Sequence, residues 1–413
     1  MSPVSTTPLG PSAGAAWDSP AATAHLRVEP PPVRPHQHAV PGWLQPLLAR
    51  WQRWRDARLT SREFQRSAAS FWLTRPVARA RARDLFDLVS GFVYSQVLAA
   101  CVRLDLFARL ADGPRPIQGL AAELELPPEA CDRLLAAAVS LRLLEWRGEH
   151  HVGLGPLGAP LVGNTGVLAM IEHHAILYQD LGDPVALLRS PQGGRLSGYW
   201  AYATSDAPGA LDADSVTAYS RLMDASQPLV ADEVLDAVSL PAGGTLLDVG
   251  GGLGRFLIAA GRRHPSLRLM LFDLPGVVPG ARRALAEAGM AERATVFGGD
   301  FTRDALPRGA DVVSLVRVIY DHPDHRARQV LRAAYEALPP GGTLLVAEPM
   351  AGAAGAQRMG DAYFGMYLLA MGSGRSRSSE ALRALVQEAG FIRVRERRTP
   401  LPLHVGVLTA CKP

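Results

Sequence analysis

Three titratable side chains stand in a row at Tyr320-Asp321-His322, directly after the run "SLVRVI". A strand ending in such a cluster can deliver acid–base groups to the mouth of a sheet. Histidine is the one of the three that titrates near neutrality, at about 6.5. His322 is therefore the candidate proton acceptor, and Tyr320 the candidate that orients a hydroxyl by hydrogen bonding. The structural alternative is that His322 caps the helix beginning near Pro323 while Asp321 closes the turn. His173 and His174 are rival bases, because the helical segment bearing them could line a pocket. A single histidine on an apolar helix is more often a satisfied core residue.

The stretch "TLLDVGGGLGRFLIAAGRRHP" reads as strand, glycine-rich turn and helix. Gly250, Gly252 and Gly254 let the backbone approach a ligand at a helix N-terminus. Arg255 stands where a dinucleotide fingerprint needs its third glycine. Lys412 is the sole lysine, so a Walker phosphate loop is excluded. Asp248 closes the first strand, and "LRLMLFDLP" ends the next at Asp273, 25 residues later. A carboxylate at that strand end can accept both hydrogen bonds of a ribose diol. "ATVFGGDF" ends a third strand at Asp300-Phe301, an acid beside an aromatic that can hold and stack an adenine. Together these describe a nucleoside site without a diphosphate, and S-adenosylmethionine is such a ligand. Cys101, Cys131 and Cys411 are far apart and form no ligand spacing, so no metal is expected and a reducing compartment fits.

The elements that must position these groups follow from periodicity. From about Gly243 strands and helices alternate with short Gly/Pro turns, which predicts an α/β, doubly wound parallel sheet. Residues 166–235 read as helical. "PIQGLAAELELPPEACDRLLAAAVSLRLLEWRGEHHVGLGP" has the shape of a winged helix. Its second helix offers few basic or amide side chains, so a structural or dimerising module is favoured over DNA binding. Between Arg83 and Arg109 an apolar helical run requires cover, as core or dimer interface. Upstream, Leu44, Leu47, Leu48, Trp51 and Trp54 recur at helical spacing, with Arg50, Arg53 and Arg58 largely off that face. Residues 49–83 hold ten Arg against Asp56 and Glu63. Such a helix can lie on an anionic membrane surface or pack on protein. Residues 1–40, rich in Pro, Ala and Ser, read as a disordered tail. The expected domains are thus 1–40, 41–235 and 236–413. The 48% hydrophobic and 20% charged residues are an ordinary globular balance. No apolar run of membrane-span length and no signal pattern is evident, so a cytoplasmic protein is expected.

The motifs DVGGGLG, FDLP, GDF, "LPPGGTLLVAEPM" and "EAGF" appear in the order seen in the cation-independent S-adenosylmethionine-dependent O-methyltransferases, which this chain resembles from about Leu85 onward. At "LTRPVARARARDLFDLVSGFVYSQVLAACVRL", "RVIYDHPD" and "DAYFGMYLLAMGSGRSRS" it is similar to the bacterial hydroxyneurosporene/demethylspheroidene (carotenoid) O-methyltransferases. The resemblance implies a Rossmann-like methyltransferase domain behind an all-α/winged-helix dimerisation domain, and a homodimer. It also implies methyl transfer to the tertiary 1-hydroxyl of an acyclic carotenoid, in a photosynthetic bacterium, with possible peripheral contact at the inner membrane. By the same resemblance, Gly250 and Asp273 contact the methionine and ribose parts of the cofactor. Asp300 and Phe301 flank the adenine, and Arg317 contributes a donor. Much of the family has His-Asp-Trp after the strand, with His as base; here Tyr320 takes the His position. Glu348 matches a carboxylate that orients that His, and Ser376 stands where a second carboxylate is usual. Met170, Met223, Tyr363, Phe364, Met366, Tyr367 and Met371 are candidate walls for a polyene groove. Two other readings stand beside this one: a methyltransferase for a polyketide or phenol, and a winged-helix regulator sensing S-adenosylmethionine.

Overall fold

Periodic apolar spacing and well-placed caps divide the N-terminal half into helices. The computed structural model describes residues 41–205, 213–353, 356–399 and 405–413; the tail expected at 1–40 lies outside them. Helices α1 (Gln45–Thr60) and α2 (Arg62–Ser70) are joined at Ser61, whose hydroxyl accepts from the Phe64 amide. Helix α3 (Arg75–Arg103) follows, with proline in its first turn. Next come α4 (Leu106–Arg109), β1 (Arg115–Pro116), α5 (Ile117–Glu123), α6 (Pro128–Ser140), β2 (Leu144–Trp146) and β3 (His151–Leu154). The three strands form an antiparallel sheet in the order β1-β3-β2, so the winged-helix shape is realised. Leu106, Leu120, Leu135, Leu144 and Val152 are its core. On α6, Arg133 is paired with Glu129 at 2.6 Å, which offsets the one basic group expected on that helix.

Helix α1 differs from expectation at Arg58, one of the three arginines placed off its apolar face. Arg55 and Arg58 fold over the rings of Trp51 and Trp54, so guanidinium and indole share a face instead of segregating. Neither α1 nor α2 contributes a buried residue. Helix α3 also differs: it is long and apolar enough by composition to cross a membrane, and only 11% of its apolar window is buried.

A helical layer follows: α7 (Thr165–Asp180), α8 (Pro184–Arg189), α9 (Leu196–Tyr199), α10 (Ala201–Thr204) and α11 (Ala213–Ala237). The remaining elements are β4 (Thr245–Val249), α12 (Arg255–Arg263), β5 (Arg268–Asp273), α13 (Val278–Glu287), β6 (Ala294–Gly298), β7 (Val312–Val316), α14 (Asp324–Ala337), β8 (Thr343–Glu348), β9 (Met350–Ala351), α15 (Phe364–Met371), β10 (Arg377–Ser378), α16 (Ser379–Glu388), β11 (Ile392–Arg397) and β12 (Gly406–Cys411). Seven strands form one sheet in the order β11-β12-β8-β7-β4-β5-β6. From β8 to β6 all neighbours are parallel; β12 is antiparallel to both β8 and β11.

Strands β4 and β7 are buried at every position, as mostly apolar strands covered on both faces must be; their polar exceptions Asp248 and Ser314 bond to each other. One face packs on α14 and α16 through Val330, Leu331, Leu382 and Leu385. The other packs on α11, α12 and α13 through Val234, Phe256, Leu257 and Leu285. Strand order runs outward from β4 in both directions. The crevice outside the ends of β4 and β7 is therefore the switch point where such sheets bind ligands. Helix α15, late in the chain, crosses back onto the helical layer, where Tyr367, Leu368 and Met371 pack with Leu177, Leu196 and Trp200.

Candidate active site

The crevice holds a cleft with about 950 Å³ of open space. Its floor is the turn after β4. Gly250 and Gly252 have φ of +69° and +56°, the left-handed region that favours glycine. A Cβ on Gly250 would lie 2.9 Å from a Val318 methyl, whereas one on Gly252 would meet nothing within 4 Å. Gly250 thus lets the two strand ends pack, and Gly252 leaves the cleft open. Beneath the turn, Asp248 accepts from Ser314 Oγ at 2.6 Å through Oδ1. Its Oδ2 lies 2.6 Å from where a Gly251 Cβ would be and has no partner among the described residues. Burial pushes this carboxyl up to about 7.

Asp273 lines the cleft at the end of β5. One carboxylate oxygen accepts from the Gly252 amide and the other from the Leu274 amide, both at 2.7 Å. Burial raises its pKa to about 6 in spite of these donors. Each oxygen keeps a lone pair, and a vicinal diol supplies two donors at matching separation. Asp300 and Phe301 line the same cleft, but the Asp300 carboxylate is engaged by the amide and hydroxyl of Thr302 at 2.8 and 2.6 Å. Arg317 lies just beyond β7 with φ +60°, a strained conformation for a side chain of its size. Its guanidinium donates to Ser226 Oγ at 2.9 Å and reaches Met223 Sδ at 3.0 Å, tying the strand end to α11. These groups fit an adenosine-bearing ligand that carries no diphosphate.

Above the cleft, residues 319–321 form a 3₁₀ turn. Of Tyr320, His322 and Glu348, only His322 lines the cleft. Its ring stands edge-on to Phe301 at 5.3 Å and to Tyr202 at 6.3 Å, and Nδ1 is buried without a partner among the described residues. Helix α14 starts with no side-chain cap, so His322 does not cap it. Burial, with the charges of Arg326 and Arg377, pushes His322 down to about 3. Tyr320 turns into the helical layer, edge-on to Phe364 at 5.8 Å, and burial drives its hydroxyl well above the usual range. Glu348 Oε1 accepts from the Val318 and Ile319 amides at 3.0 and 2.6 Å, so it braces the turn. Asp321 does not close the turn with its side chain: Oδ2 receives the Tyr202 hydroxyl at 2.6 Å.

Several residues here carried no sequence signal. Arg377, 4% exposed, donates to Asp324 and to the carbonyls of Ile319 and His322 at 2.9 and 2.8 Å. Arg375 donates to the other Asp324 oxygen at 2.8 Å. Ser376, which the sequence did single out as standing in place of a carboxylate, donates to the Gly360 carbonyl at 2.8 Å, on the turn leading to α15. Tyr202 arrives from α10, and nothing in its surroundings in the chain marks it. The rival histidines are committed elsewhere. His173 Nε2 lies 2.8 Å from the Tyr367 hydroxyl, which accepts from Trp200 Nε1 at 2.8 Å. His174 Nε2 lies 2.7 Å from the Tyr363 hydroxyl. Burial lowers both, His173 to about 4. Among the proposed polyene walls, Met223 lines the cleft, while Tyr367 and Met371 are buried in the helical layer.

Comparison with known proteins agrees with this geometry. Residues 178–392 match the O-methyltransferase domain family, and residues 86–164 match the O-methyltransferase dimerisation domain, which supports homodimer formation. The demethylspheroidene O-methyltransferase of Cereibacter sphaeroides is 43% identical over 353 residues, covering 86% of this chain and 93% of that protein. Its namesake from Rhodobacter capsulatus is 41% identical, covering 81% and 83%. The crystal structure of human N-acetylserotonin methyltransferase in complex with S-adenosylmethionine superposes with a TM-score of 0.67 at 25% identity, covering 80% of this chain and 97% of that one. A nucleoside cleft at the switch point, a winged-helix module ahead of it and likeness over nearly whole relatives have one common reading: this chain belongs to the O-methyltransferase family.

Proposed function

We propose that the protein transfers a methyl group from S-adenosylmethionine to the tertiary 1-hydroxyl of acyclic carotenoids of the demethylspheroidene or hydroxyneurosporene type. The observation that carries this reading is the likeness to two demethylspheroidene O-methyltransferases across most of their length. When bound, S-adenosylmethionine supplies a methyl group on a sulfonium, an electrophile that needs only an aligned oxygen. Asp273 holds the ribose diol, Gly252 leaves the cofactor room, and Asp300 with Phe301 borders the adenine end. Holding the acceptor in line supplies on the order of 7–11 kcal/mol of barrier reduction. His322, with a pKa near 3, is neutral at physiological pH and too weak a base to ionise an alcohol in advance. It accepts the hydroxyl's hydrogen bond and so orients the oxygen. Tyr320 and Glu348 support that turn from behind.

The acceptor dissolves in bilayers, and the arginine- and tryptophan-rich pair α1–α2 gives the enzyme a means of docking on the cytoplasmic face of an anionic membrane. Co-sedimentation of the full chain with phosphatidylglycerol vesicles tests this. Binding should fall with Trp51→Ala and Trp54→Ala and with rising salt; undiminished binding would sink the docking role. Incubation with labelled S-adenosylmethionine and a hydroxycarotenoid extract, followed by chromatography, tests the reaction. A labelled methoxycarotenoid is expected. Label on small phenols but on no carotenoid would overturn the acceptor assignment.

A further inference from the structure

The turn after β7 carries a second proton acceptor beside His322. Asp321 lines the cleft and is 5% exposed. Tyr202, lining the same cleft from α10, donates to its Oδ2 at 2.6 Å. The backbone around it is fixed on every side. Ser373 Oγ donates to the Asp321 carbonyl at 3.0 Å, Arg377 holds the flanking carbonyls of Ile319 and His322, and Glu348 holds the amides just ahead. We propose that Asp321 takes the proton of the acceptor hydroxyl, with Tyr202 as the positioning residue that fixes its carboxylate. This rests on the methyl-transfer reading above, but not on the carotenoid being the acceptor.

Charge decides between the two neighbours. A proton on His322 creates a buried cation near Arg326 and Arg377. A proton on Asp321 removes a buried charge. Burial opposes the first and favours the second. Accordingly burial, offset by the Tyr202 donor and the Arg317 charge, puts Asp321 at about 7, close to where a general base works best. The groups facing it are Tyr202 from α10, Arg317, Tyr320 and His322 from its own turn, Glu348 from β8 and Tyr367 from α15. Burial raises Glu348 to about 8, so it is mostly uncharged at pH 7 and competes little. In the step, the acceptor oxygen bonds to the methyl carbon as the carbon–sulfur bond breaks and its electron pair goes to sulfur. The hydroxyl proton goes to an Asp321 oxygen. Sulfonium and carboxylate charges cancel, and no further reactant is needed.

Asp321→Asn, His322→Gln and Tyr202→Phe test this by two readouts. With whichever hydroxyl acceptor the wild type methylates, Asp321→Asn should lower kcat by about 10²–10⁴-fold, with KM changed far less. His322→Gln should lower kcat by less, roughly tenfold, as loss of an orienting contact. The second readout needs no turnover: carbon NMR titration of ¹³C-carboxyl aspartate-labelled protein. Asp248 and Asp321 should both titrate near pH 7, and the Asp321 resonance is the one of the two that should be absent from Asp321→Asn. In Tyr202→Phe it should move to higher pH, because losing a donor destabilises the charged form. If Asp321→Asn does not fold, the Tyr202→Phe shift decides. An Asp321 carboxyl that titrates below pH 5, an unshifted resonance in Tyr202→Phe, or an Asp321→Asn enzyme with kcat within about fivefold of wild type overturns the proposal. Absence of any methoxycarotenoid with the titration as expected would instead fault only the acceptor.

Discussion

At Glu348, one carboxylate oxygen takes two backbone amides while the other is buried with no partner among the described residues. Burial raises its pKa to about 8 from an ordinary 4.5. A raised acid contributes stability that is complete below its unfolded pKa and lost as pH rises through the folded one. Between pH 5 and 8 the wild type should therefore lose stability from this group, on the order of a few kcal/mol. Glu348→Gln keeps an oxygen for the amides and removes the charge, so its urea midpoint should fall less between those pH values. Equal falls in both proteins would refute the assignment. Asp273→Asn tests the nucleoside site by calorimetry with S-adenosylhomocysteine. Loss of charge-assisted hydrogen bonds at roughly 1.5–3 kcal/mol each should weaken binding tenfold or more. Asp273 was legible in the sequence because a strand end at fixed distance from a glycine turn defines its place. Tyr202 was not, since it meets Asp321 across 119 residues of chain and only the fold brings them together.

At the scale of elements, the sheet and its glycine turn could be read from the strand runs and turn residues, whose periodicity is local. The brace behind the 319–322 turn could not. Arg377 acts on Ile319 and His322 through their carbonyls, and every residue has one. Arg377 is also ion-paired at 2.6 Å with Asp324, and Arg375 completes the cluster from the other side. Without Arg377 the Ile319 and His322 carbonyls lose that donor while Asp324 keeps Arg375, and each buried acceptor left unsatisfied costs about 1–3 kcal/mol. Arg377→Met should destabilise the protein by that order in urea unfolding. Arg377→Lys should recover little, because an ammonium cannot serve the carboxylate and two carbonyls in the same plane. A lysine variant as stable as wild type would show that charge alone holds the turn. The reading of α1 failed in detail for a related reason: helical spacing assigns faces, but long arginine side chains bend back over the indoles next to them.

For the whole molecule, the open question posed by the sequence was what covers the apolar helix from Arg83 onward. Leu85, Phe86, Leu88, Val89, Phe92 and Val93 of α3 are exposed in the single chain. A bilayer is a poor answer. The last turns of α3 are committed to protein, with Cys101 buried in the winged-helix core and Val97, Leu98 and Val102 packed against it. The first turns carry Arg75, Arg79, Arg81 and Arg83. The stretch left between, 85–96, falls well short of the roughly 20 residues a span needs and includes Asp87. A second copy is the better answer, since the dimerisation domain begins at residue 86. A patch of this kind is larger than monomers normally expose. Phe92, 68% exposed in one chain, should then lie against the partner. Phe92→Glu would bury a carboxylate there, costing several kcal/mol, on the order of a buried unpaired charge. Sedimentation velocity should find the wild type as a dimer and the variant shifted toward the 44.1 kDa chain. A variant that remains dimeric at micromolar concentration would move the interface off this face of α3.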